Sequence, residues 1–329
     1  MKKIRLAIPN GHLSKATLDT FARAGYRISG EERTYTPIIN DPHIEVRVLR
    51  PQEIPTFVAE GLQDVGITGR DWMKETKSDV EILLDLEYSK VRLVIAVPES
   101  LSGVDSLSDL IQHYKEANRP FRVFTEYLTI AKDLLVENEA YEEIYGSEEP
   151  LIVTPWWRSG SNTEVGVYLS FGATEAKPPD VADAIIEIVD TGASLQRNGL
   201  KILEEIMDST AVFIVNKDAI EDSDKQEKIF DVMTLLRGVV EARKKLHIFA
   251  NVERNKLDTL LSELPALQKP TISPLSDPKW VAVNTIVDRT RFLELVPTLR
   301  RLAQGLVVYE PRQVLPLSSM TQGGNLNGA

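Results

Sequence analysis

The residues best suited to chemistry lie between positions 187 and 194, where an acidic side chain interrupts an apolar run and a small-residue turn follows. The turn, Asp190-Thr191-Gly192-Ala193-Ser194, combines hydroxyl groups with a glycine that can adopt positive φ, so its backbone N–H groups can surround an anion. Leu195 and the polar residues after it can form a short helix whose N-terminus adds positive potential there. The pattern predicts a sugar-phosphate cradle, with an ordinary strand-to-helix turn as the alternative.

Other candidate residues stand where predicted strands end, which is where open α/β sheets bind ligands. Arg50, Gly11, the turn at 69–71 and Tyr127 all follow predicted strands. Arg50 is a candidate ligand contact or a surface ion-pair partner, and Tyr127 is a core aromatic or a stacking partner for a base. Glu187 is costly inside an apolar strand unless it has a partner, which favours a functional role over a carboxylate facing solvent.

The composition excludes several kinds of site and partner. The 329 residues include no cysteine, which excludes disulfides, thiolate metal sites and a cysteine nucleophile, and the four histidines lack the HxxxH spacing of many zinc sites. The net charge of −11 argues against a general nucleic-acid-binding surface and repels anionic ligands at long range. The first apolar run is too short for a signal peptide and no run reaches the roughly 18 residues of a membrane span, so we expect a cytoplasmic protein.

The hydrophobic pattern predicts the elements that position these residues. Over the first hundred residues, strands and helices alternate, which is typical of a mainly parallel sheet covered by helices. A second alternating segment follows, with a short helix predicted at 179–184 before the strand that carries Glu187. Residues 138–161 have a poor signal and are interpreted as a long irregular excursion. Its Trp156-Trp157 pair is interpreted as packing against the domain edge, with a stacking platform as the alternative.

The last region predicts a separate domain. Strands at 247–252, 270–275, 280–287 and 305–309 alternate with helices at 255–264 and 291–303 in the order βαββαβ, which is ferredoxin-like. The prolines of 270–275 require an edge strand. The tail beyond residue 317 is rich in glycine, asparagine and serine, and we expect it to be disordered.

Together these motifs resemble the long form of ATP phosphoribosyltransferase, over nearly the whole chain. The most specific matches are Ile188-Val189-Asp190-Thr191-Gly192-Ala193-Ser194-Leu195, Ser209-Thr210-Ala211, Asp64-Val65-Gly66-Ile67-Thr68-Gly69 and Pro270-Thr271-Ile272-Ser273-Pro274-Leu275. The chain diverges at the first turn, where the family's usual Lys-Gly-Arg-Leu is replaced by Asn10-Gly11-His12-Leu13, so two cationic side chains are absent. Glu187 and Ser194 replace the family's usual Asp and Thr but keep the functional group, which indicates a divergent branch.

The resemblance implies an α/β fold, with a two-lobed catalytic core like that of type II periplasmic binding proteins and a C-terminal ferredoxin-like regulatory domain. It implies a first lobe from 1–91 with 200–240 and a second lobe at 92–199 that carries the phosphoribosyl pyrophosphate loop. A histidine-binding domain at 246–316 and a tail at 317–329 would follow. It also implies a homo-oligomer, dimer to hexamer, that is active with Mg²⁺ and inhibited by histidine.

The implied reaction transfers phosphoribosyl from phosphoribosyl pyrophosphate to N1 of ATP, the first step of histidine biosynthesis. The implied catalytic residues are Glu187, Asp183 and Glu175, with Glu187 also a metal ligand. The resemblance assigns phosphoribosyl pyrophosphate to Asp190, Thr191, Gly192, Ala193, Ser194 and Leu195. It assigns the nucleotide to Gly11, Arg50, Gly69, Arg70, Asp71 and Tyr127, and the inhibitor histidine to Thr271 and Ser273.

Other functions remain open at this point. A cytoplasmic small-molecule-binding protein of the same two-lobed fold is the main alternative, because fold does not fix function. That class, however, needs no phosphate loop with a strand carboxylate. Purine-salvage phosphoribosyltransferases usually have two adjacent acids before the Thr-Gly turn, whereas two apolar residues separate Glu187 from Asp190. A transcriptional ligand sensor would need a helix-turn-helix segment or a basic patch, and the sequence shows neither.

Overall fold

Strands and helices alternate along the chain, as the hydrophobic pattern predicts. The computed structural model describes residues 2–30, 34–264 and 270–315. The strands in these ranges are β1 (Ile4–Pro9), β2 (Ile28–Ser29), β3 (Ile38–Ile39), β4 (Ile44–Leu49), β5 (Val65–Gly69), β6 (Glu81–Asp85), β7 (Val91–Pro98), β8 (Phe121–Thr125), β9 (Pro150–Val153), β10 (Arg158–Ser159), β11 (Asn162–Leu169), β12 (Ala184–Val189), β13 (Leu200–Ser209), β14 (Ala211–Val215), β15 (Lys245–Glu253), β16 (Thr271–Pro274), β17 (Trp280–Asp288) and β18 (Ala303–Tyr309). The α-helices are α1 (Ser14–Ala24), α2 (Ile54–Ala59), α3 (Arg70–Thr76), α4 (Leu107–Glu116), α5 (Leu128–Val136), α6 (Glu139–Tyr145), α7 (Ala193–Arg197), α8 (Lys217–Glu221), α9 (Ser223–Arg243), α10 (Leu257–Glu263) and α11 (Arg289–Leu302).

The described residues divide into two units. The terminal unit takes its residues from Met1–Arg5, Lys15–Arg47 and Ala219–Ala329, and the central unit comprises Leu6–Ser14 and Val48–Asp218. The predicted sugar-phosphate loop belongs to the central unit, whereas the predicted C-terminal domain belongs to the terminal unit. None of the helices in the described ranges is long and apolar enough to cross a membrane.

A mixed five-stranded sheet has the strand order β4-β1-β5-β14-β6, and its strands β5, β14 and β6 lie wholly in the central unit. β1 and β5 run parallel, and β14 pairs antiparallel with both β5 and β6. The helix α2 packs on this sheet through Ile54 and Val58. A Cβ at Gly66 would lie 2.5 Å from Ile54 Cγ2, so the glycine of β5 lets α2 approach the sheet closely.

The second sheet of the central unit has seven strands, in the order β10-β9-β11-β8-β12-β7-β13. The four neighbours β9, β11, β8 and β12 run parallel, while β7 pairs antiparallel with β12 and β13. One apolar cluster contains Val123 of β8, Val167 of β11 and Ile186 of β12. The carboxyl ends of the parallel strands therefore share one edge of the sheet, the edge at which α/β proteins bind ligands.

Two predictions for the central unit are wrong. Residues 138–161 are not an irregular excursion, because they form α6, β9 and β10. Asn138 caps α6 by accepting hydrogen bonds from Ala140 N (3.0 Å) and Tyr141 N (3.3 Å), and β9 is held by pairing with β11, which the local sequence cannot reveal. The predicted helix at 179–184 is instead a series of turns that leads into β12. Pro178 and Pro179, at the start of these turns, supply no N–H donors.

The Trp156-Trp157 pair also differs from its interpretation as packing at the domain edge. Trp156 is 73% exposed and Trp157 is 50% exposed. Thr154 Oγ1 accepts hydrogen bonds from the backbone N–H groups of both tryptophans, so the turn between β9 and β10 is well defined although its rings face solvent. The packing interpretation is therefore wrong.

The C-terminal part of the terminal unit has the predicted ferredoxin-like pattern. β15, α10, β16, β17, α11 and β18 follow in the order βαββαβ, and the antiparallel sheet has the order β16-β17-β15-β18. Ile248, Val283 and Leu299 lie in its apolar core. β16 is an edge strand, as its proline predicts. The predicted tail at 317–329 lies outside the described residues.

Candidate functional site

A pocket of about 650 Å³ in the central unit brings together five of the predicted site residues. Residues from both sheets line it, and most of them follow the carboxyl ends of strands, as expected for a ligand site in an open α/β sheet. The lining residues are Asn10, Gly11, His12, Arg50, Pro51, Gln52, Trp72, Glu126, Tyr127, Gly172, Ala173, Glu175, Glu187 and Ile188. Five of them, Gly11, Arg50, Tyr127, Glu175 and Glu187, are predicted site residues.

The loop after β12 has the backbone conformation that its sequence predicts. Gly192 has φ of +78° and immediately precedes the short helix α7, which confirms the predicted turn of helix. Thr191 Oγ1 accepts a hydrogen bond from Ala193 N at 3.4 Å. Leu195 is buried beside Val189 and anchors the loop to the sheet. The loop thus presents hydroxyl groups and N–H groups from a fixed backbone.

Glu175 connects this loop to the pocket. Ser194 Oγ donates a hydrogen bond of 2.6 Å to Glu175 Oε1. That bond is the main reason why the pKa of Glu175 is lowered, so the carboxyl is ionised as it faces the pocket. Ser194 and Glu175 are therefore brought together, although 19 residues separate them in the sequence.

Glu187 has the partner that its position in an apolar strand requires. Its Oε1 accepts a hydrogen bond of 3.0 Å from Ile188 N. Burial raises the pKa of Glu187, hydrogen bonds from Ile188 and Thr174 oppose the shift, and the charges of Glu126 and Glu175 add to it. The pocket consequently holds two carboxyl groups, Glu175 and Glu187, whose pKa values are shifted in opposite directions.

Asp183 is not brought to the pocket. Its carboxylate is 3% exposed and accepts three hydrogen bonds from Arg122, from the backbone N at 2.8 Å and from Nε and Nη2 at 3.0 Å each. This ion pair fixes the start of β12 against β8. The Asp183 carboxylate is thus paired with Arg122, a structural partner that the sequence analysis does not predict.

Tyr127 lines the pocket as part of a buried network. It stacks on Trp72 with ring centroids 4.5 Å apart, and its hydroxyl donates to Asp71 Oδ2 at 2.8 Å. Burial, reinforced by Asp71, raises the pKa of Tyr127, so the phenol remains a hydrogen-bond donor. Ser209 Oγ donates to the other oxygen of Asp71, and a side chain at Gly69 would collide with that oxygen. Gly69 and Asp71 therefore support the pocket wall from behind.

The basic side chains among the lining residues are Arg50 and His12. Arg70 is turned to a different partner, since its Nη2 lies 3.0 Å from Asp85 Oδ2. In the terminal unit, Thr271 and Ser273 stand on the edge strand β16, in register with Asn284 and Ala282 of β17. The described residues include no cluster of three or more acidic, histidine or cysteine side chains arranged to hold a metal ion.

Several residues that line the pocket were not predicted from the sequence. Gln52 and Trp72 gave no signal beyond their place near predicted strand ends, and Gly172 and Ala173 lie in a turn predicted only as a connection. Ala173 has φ of +48°, a left-handed conformation that its residue type does not indicate. Glu126, the neighbour of Tyr127, also lines the pocket and accepts a hydrogen bond from Gly172 N at 3.2 Å.

Sequence comparison finds two family matches. Residues 50–238 match the family described as ATP phosphoribosyltransferase, and residues 242–312 match its C-terminal domain family. An ATP phosphoribosyltransferase of Solibacter usitatus is 37% identical over 318 residues, covering 95% of this chain and 99% of that protein. One from Prosthecochloris aestuarii is 36% identical over 318 residues, covering 95% of this chain and 97% of that protein.

Structure comparison agrees at the level of fold. The ATP phosphoribosyl transferase (HisG:HisZ) complex from Thermotoga maritima matches with a TM-score of 0.55 and 22% sequence identity, covering 72% of this chain and 98% of that chain. Together with the mixed sheets and the C-terminal domain match, this likeness confirms the predicted fold class. That class is an α/β core followed by a ferredoxin-like domain.

Proposed function

This chain belongs to the ATP phosphoribosyltransferase family, and we propose that the pocket of its central unit is where phosphoribosyl pyrophosphate and ATP react. The family's enzymes are pentosyltransferases that catalyse the first step of histidine biosynthesis. The observation that carries the assignment is the loop at Gly192, joined through Ser194 to Glu175 at the pocket.

In the proposed reaction, N1 of the adenine attacks C1 of the ribose as the C1–O bond to pyrophosphate breaks, and pyrophosphate leaves with the bonding electrons. The transition state has oxocarbenium-like charge, and no covalent nucleophile is needed. Catalysis is therefore positioning and electrostatic stabilisation. The backbone N–H groups of residues 190–194, with the hydroxyl of Thr191, bind the 5′-phosphate.

The carboxylates take separate roles in this proposal. Glu187 contacts the ribose hydroxyls, and its negative charge stabilises the cationic sugar. Glu175 orients the Ser194 hydroxyl through their hydrogen bond. Asp183 positions β12 through Arg122 rather than contacting substrate, since its carboxylate is already satisfied. This replaces the catalytic role that the family resemblance implies for Asp183.

Arg50 and His12, which are part of the pocket wall, are the proposed contacts for the phosphate groups of the nucleotide. Arg50 is permanently charged, whereas a histidine gains its charge only on protonation. Tyr127 and Trp72 contribute the apolar part of that wall. Gly69, Arg70 and Asp71, predicted as nucleotide contacts, are instead proposed to act by supporting the wall.

Mg²⁺ fits this donor set. The pocket offers carboxylate oxygens, and Mg²⁺ in nucleotide enzymes is typically held by one or two carboxylates together with substrate phosphates. Glu187 is the proposed protein ligand. The ion, when bound, neutralises charge on the departing pyrophosphate.

We propose that the C-terminal ferredoxin-like unit at 246–316 is a regulatory domain that binds histidine near Thr271 and Ser273. Residues 1–91 with 200–240 and residues 92–199 are the proposed lobes of the catalytic core. We further propose a cytoplasmic homo-oligomer, dimer to hexamer. Histidine at millimolar concentration should lower the rate and raise the melting temperature by linkage, and light scattering should report the oligomer mass.

The decisive experiment is direct detection of phosphoribosyl-ATP from purified protein with both substrates, with and without Mg²⁺. Product formation that requires the metal supports the assignment. A folded protein that binds both substrates and yields no product would instead indicate a binding protein of the same fold.

A further inference from the structure

Trp156 and Phe171 form an exposed aromatic pair in the central unit. Their ring centroids lie 5.9 Å apart in an edge-to-face arrangement. Trp156 is 73% exposed and Phe171 is 68% exposed. Large aromatic side chains left together at a surface commonly mark a binding site. None of the roles assigned above uses this pair.

The pair stands at the same sheet edge as the pocket. β9, β11, β8 and β12 are successive parallel neighbours, so their carboxyl ends lie side by side. Trp156 follows β9, Phe171 follows β11 and Thr191 follows β12. Neighbouring strands lie about 4.8 Å apart, and β12 is the third neighbour of β9, so the two strands are about 14 Å apart. This distance is comparable to the length of a phosphoribosyl nucleotide.

Phe171 is also continuous with the pocket along the chain. Gly172 and Ala173, the next two residues, line the pocket, and Gly172 N donates to Glu126 Oε1 at 3.2 Å. Phe171 therefore stands next to the pocket lining along the chain, although neither ring is itself a lining residue.

Both turns that carry the rings are braced by hydrogen bonds. Thr154 N donates to Trp157 O at 3.0 Å, and Thr154 Oγ1 accepts from Trp156 N at 3.3 Å. Lys177 Nζ donates to Gly172 O at 3.2 Å and to Ser170 Oγ. Because the backbone of both turns is ordered before binding, a ligand that stacks on the rings need not order these turns.

We propose that Trp156 and Phe171 form a stacking platform for the adenine base of the nucleotide substrate. The inference rests on the proposed function and deepens it. A purine needs a flat apolar surface, and the face of one aromatic ring provides it without a dedicated hydrogen-bond pattern, while the second ring, tilted by 68°, borders the base. Trp72 and Tyr127, the aromatic rings that line the pocket, already stack on each other.

The test compares ATP binding by calorimetry in the wild-type protein, Trp156→Ala, Phe171→Ala and Trp156→Phe. The alanine variants should weaken ATP binding at least about fivefold, the low end of base–aromatic stacking, and Trp156→Phe should recover most of it. Inorganic tripolyphosphate, which has no base, should bind all variants alike. Trp157→Ala is the matched control, because Trp157 shares the turn while Trp156 makes the ring contact with Phe171.

Three results would overturn the proposal. They are unchanged ATP affinity in both alanine variants, an equal loss of tripolyphosphate affinity, or a change in oligomer mass with ATP affinity intact, which would assign the pair to a contact with a second copy. Product assays on the wild-type protein separate this failure from failure of the proposed function. If the wild type forms phosphoribosyl-ATP, only the stacking assignment falls.

Discussion

Glu175 and Glu187 line the same pocket, yet their pKa values shift in opposite directions. The Ser194 hydroxyl lowers the pKa of Glu175, whereas burial raises that of Glu187. Two carboxyls pushed apart in this way usually have separate roles in a reaction. Here the ionised Glu175 fixes a hydroxyl of the phosphate loop, and burial makes a charge on Glu187 costly unless a cationic sugar or metal faces it.

The first residue-scale prediction concerns Glu187→Gln. A carboxyl whose pKa is raised by folding stabilises the native state fully below its unfolded pKa and loses that stability as pH rises through the folded pKa. The variant should therefore melt at a higher temperature than wild type at neutral pH, and the difference should shrink as the pH falls through the raised pKa and vanish near pH 4.5, the ordinary value for this group. Melting curves between pH 4 and 8 measure this. Equal melting temperatures at neutral pH would contradict the burial cost, while activity should fall in the same variant.

Gly192→Val tests the phosphate loop. The variant places a β-branched side chain at φ of +78°, which costs about 1–2 kcal/mol and reshapes the N–H cradle. Phosphoribosyl pyrophosphate binding should weaken more than tenfold. Gly199→Val is the matched control, because Gly199 also has positive φ, +66°, and follows α7. Equal loss of binding in both variants would show that strain, not the cradle, is responsible.

At the scale of elements, side-chain caps decide where several helices begin. Ser106 Oγ accepts from Asp109 N at 3.1 Å at the start of α4. Asn138 does the same for α6, and Glu75 of α3 accepts from Thr129 N and Ile130 N at the start of α5. The last contact joins α3 to α5 directly, so a cap also serves as a tertiary connection.

Ser106→Ala should destabilise the protein by about 1 kcal/mol, the usual cost of losing an N-cap. Urea denaturation gives the free energy of unfolding. Ser102→Ala, an exposed position in the preceding segment, is the control and should change stability little. A variant as stable as its control would mean that the α4 cap contributes nothing measurable.

At the scale of the molecule, the segment after β18 returns to the first helix of the chain within the terminal unit. Gln313 Nε2 donates to Ala24 O at 3.2 Å, and Val314 N donates to Gly238 O of α9 at 2.9 Å. Leu315 packs where Gly238 has no side chain. The segment thereby connects α1, α9 and the ferredoxin-like sheet.

Gly238→Val should displace this segment, because even a Cβ at position 238 would collide with Leu315. We expect a loss of about 1–3 kcal/mol, typical of overpacking, measured by chemical denaturation. Gly305→Val provides the comparison, since a Cβ there meets open space. Equal stability of the two variants would argue against a tight contact at Gly238.

The sequence by itself determined much of this protein. Periodicity located β4, α1 and β12, and the proline of β16 predicted an edge strand, because these features depend on neighbours along the chain. The Thr191-Gly192 turn likewise follows from the freedom of glycine at positive φ. Together with the C-terminal βαββαβ pattern, these were enough to identify the family.

Only the tertiary structure decided which candidates meet. Asp183 lies near β12 in the sequence, like the other acidic residues predicted for the site. It does not line the pocket because it pairs with Arg122, 61 residues away. The Tyr127–Asp71 bond spans 56 residues, and β9 exists because β11 pairs with it. The exposed Trp156–Phe171 pair arises in the same way. Each of these features is a contact between distant segments, whose free energy depends on folded geometry that the local sequence does not encode.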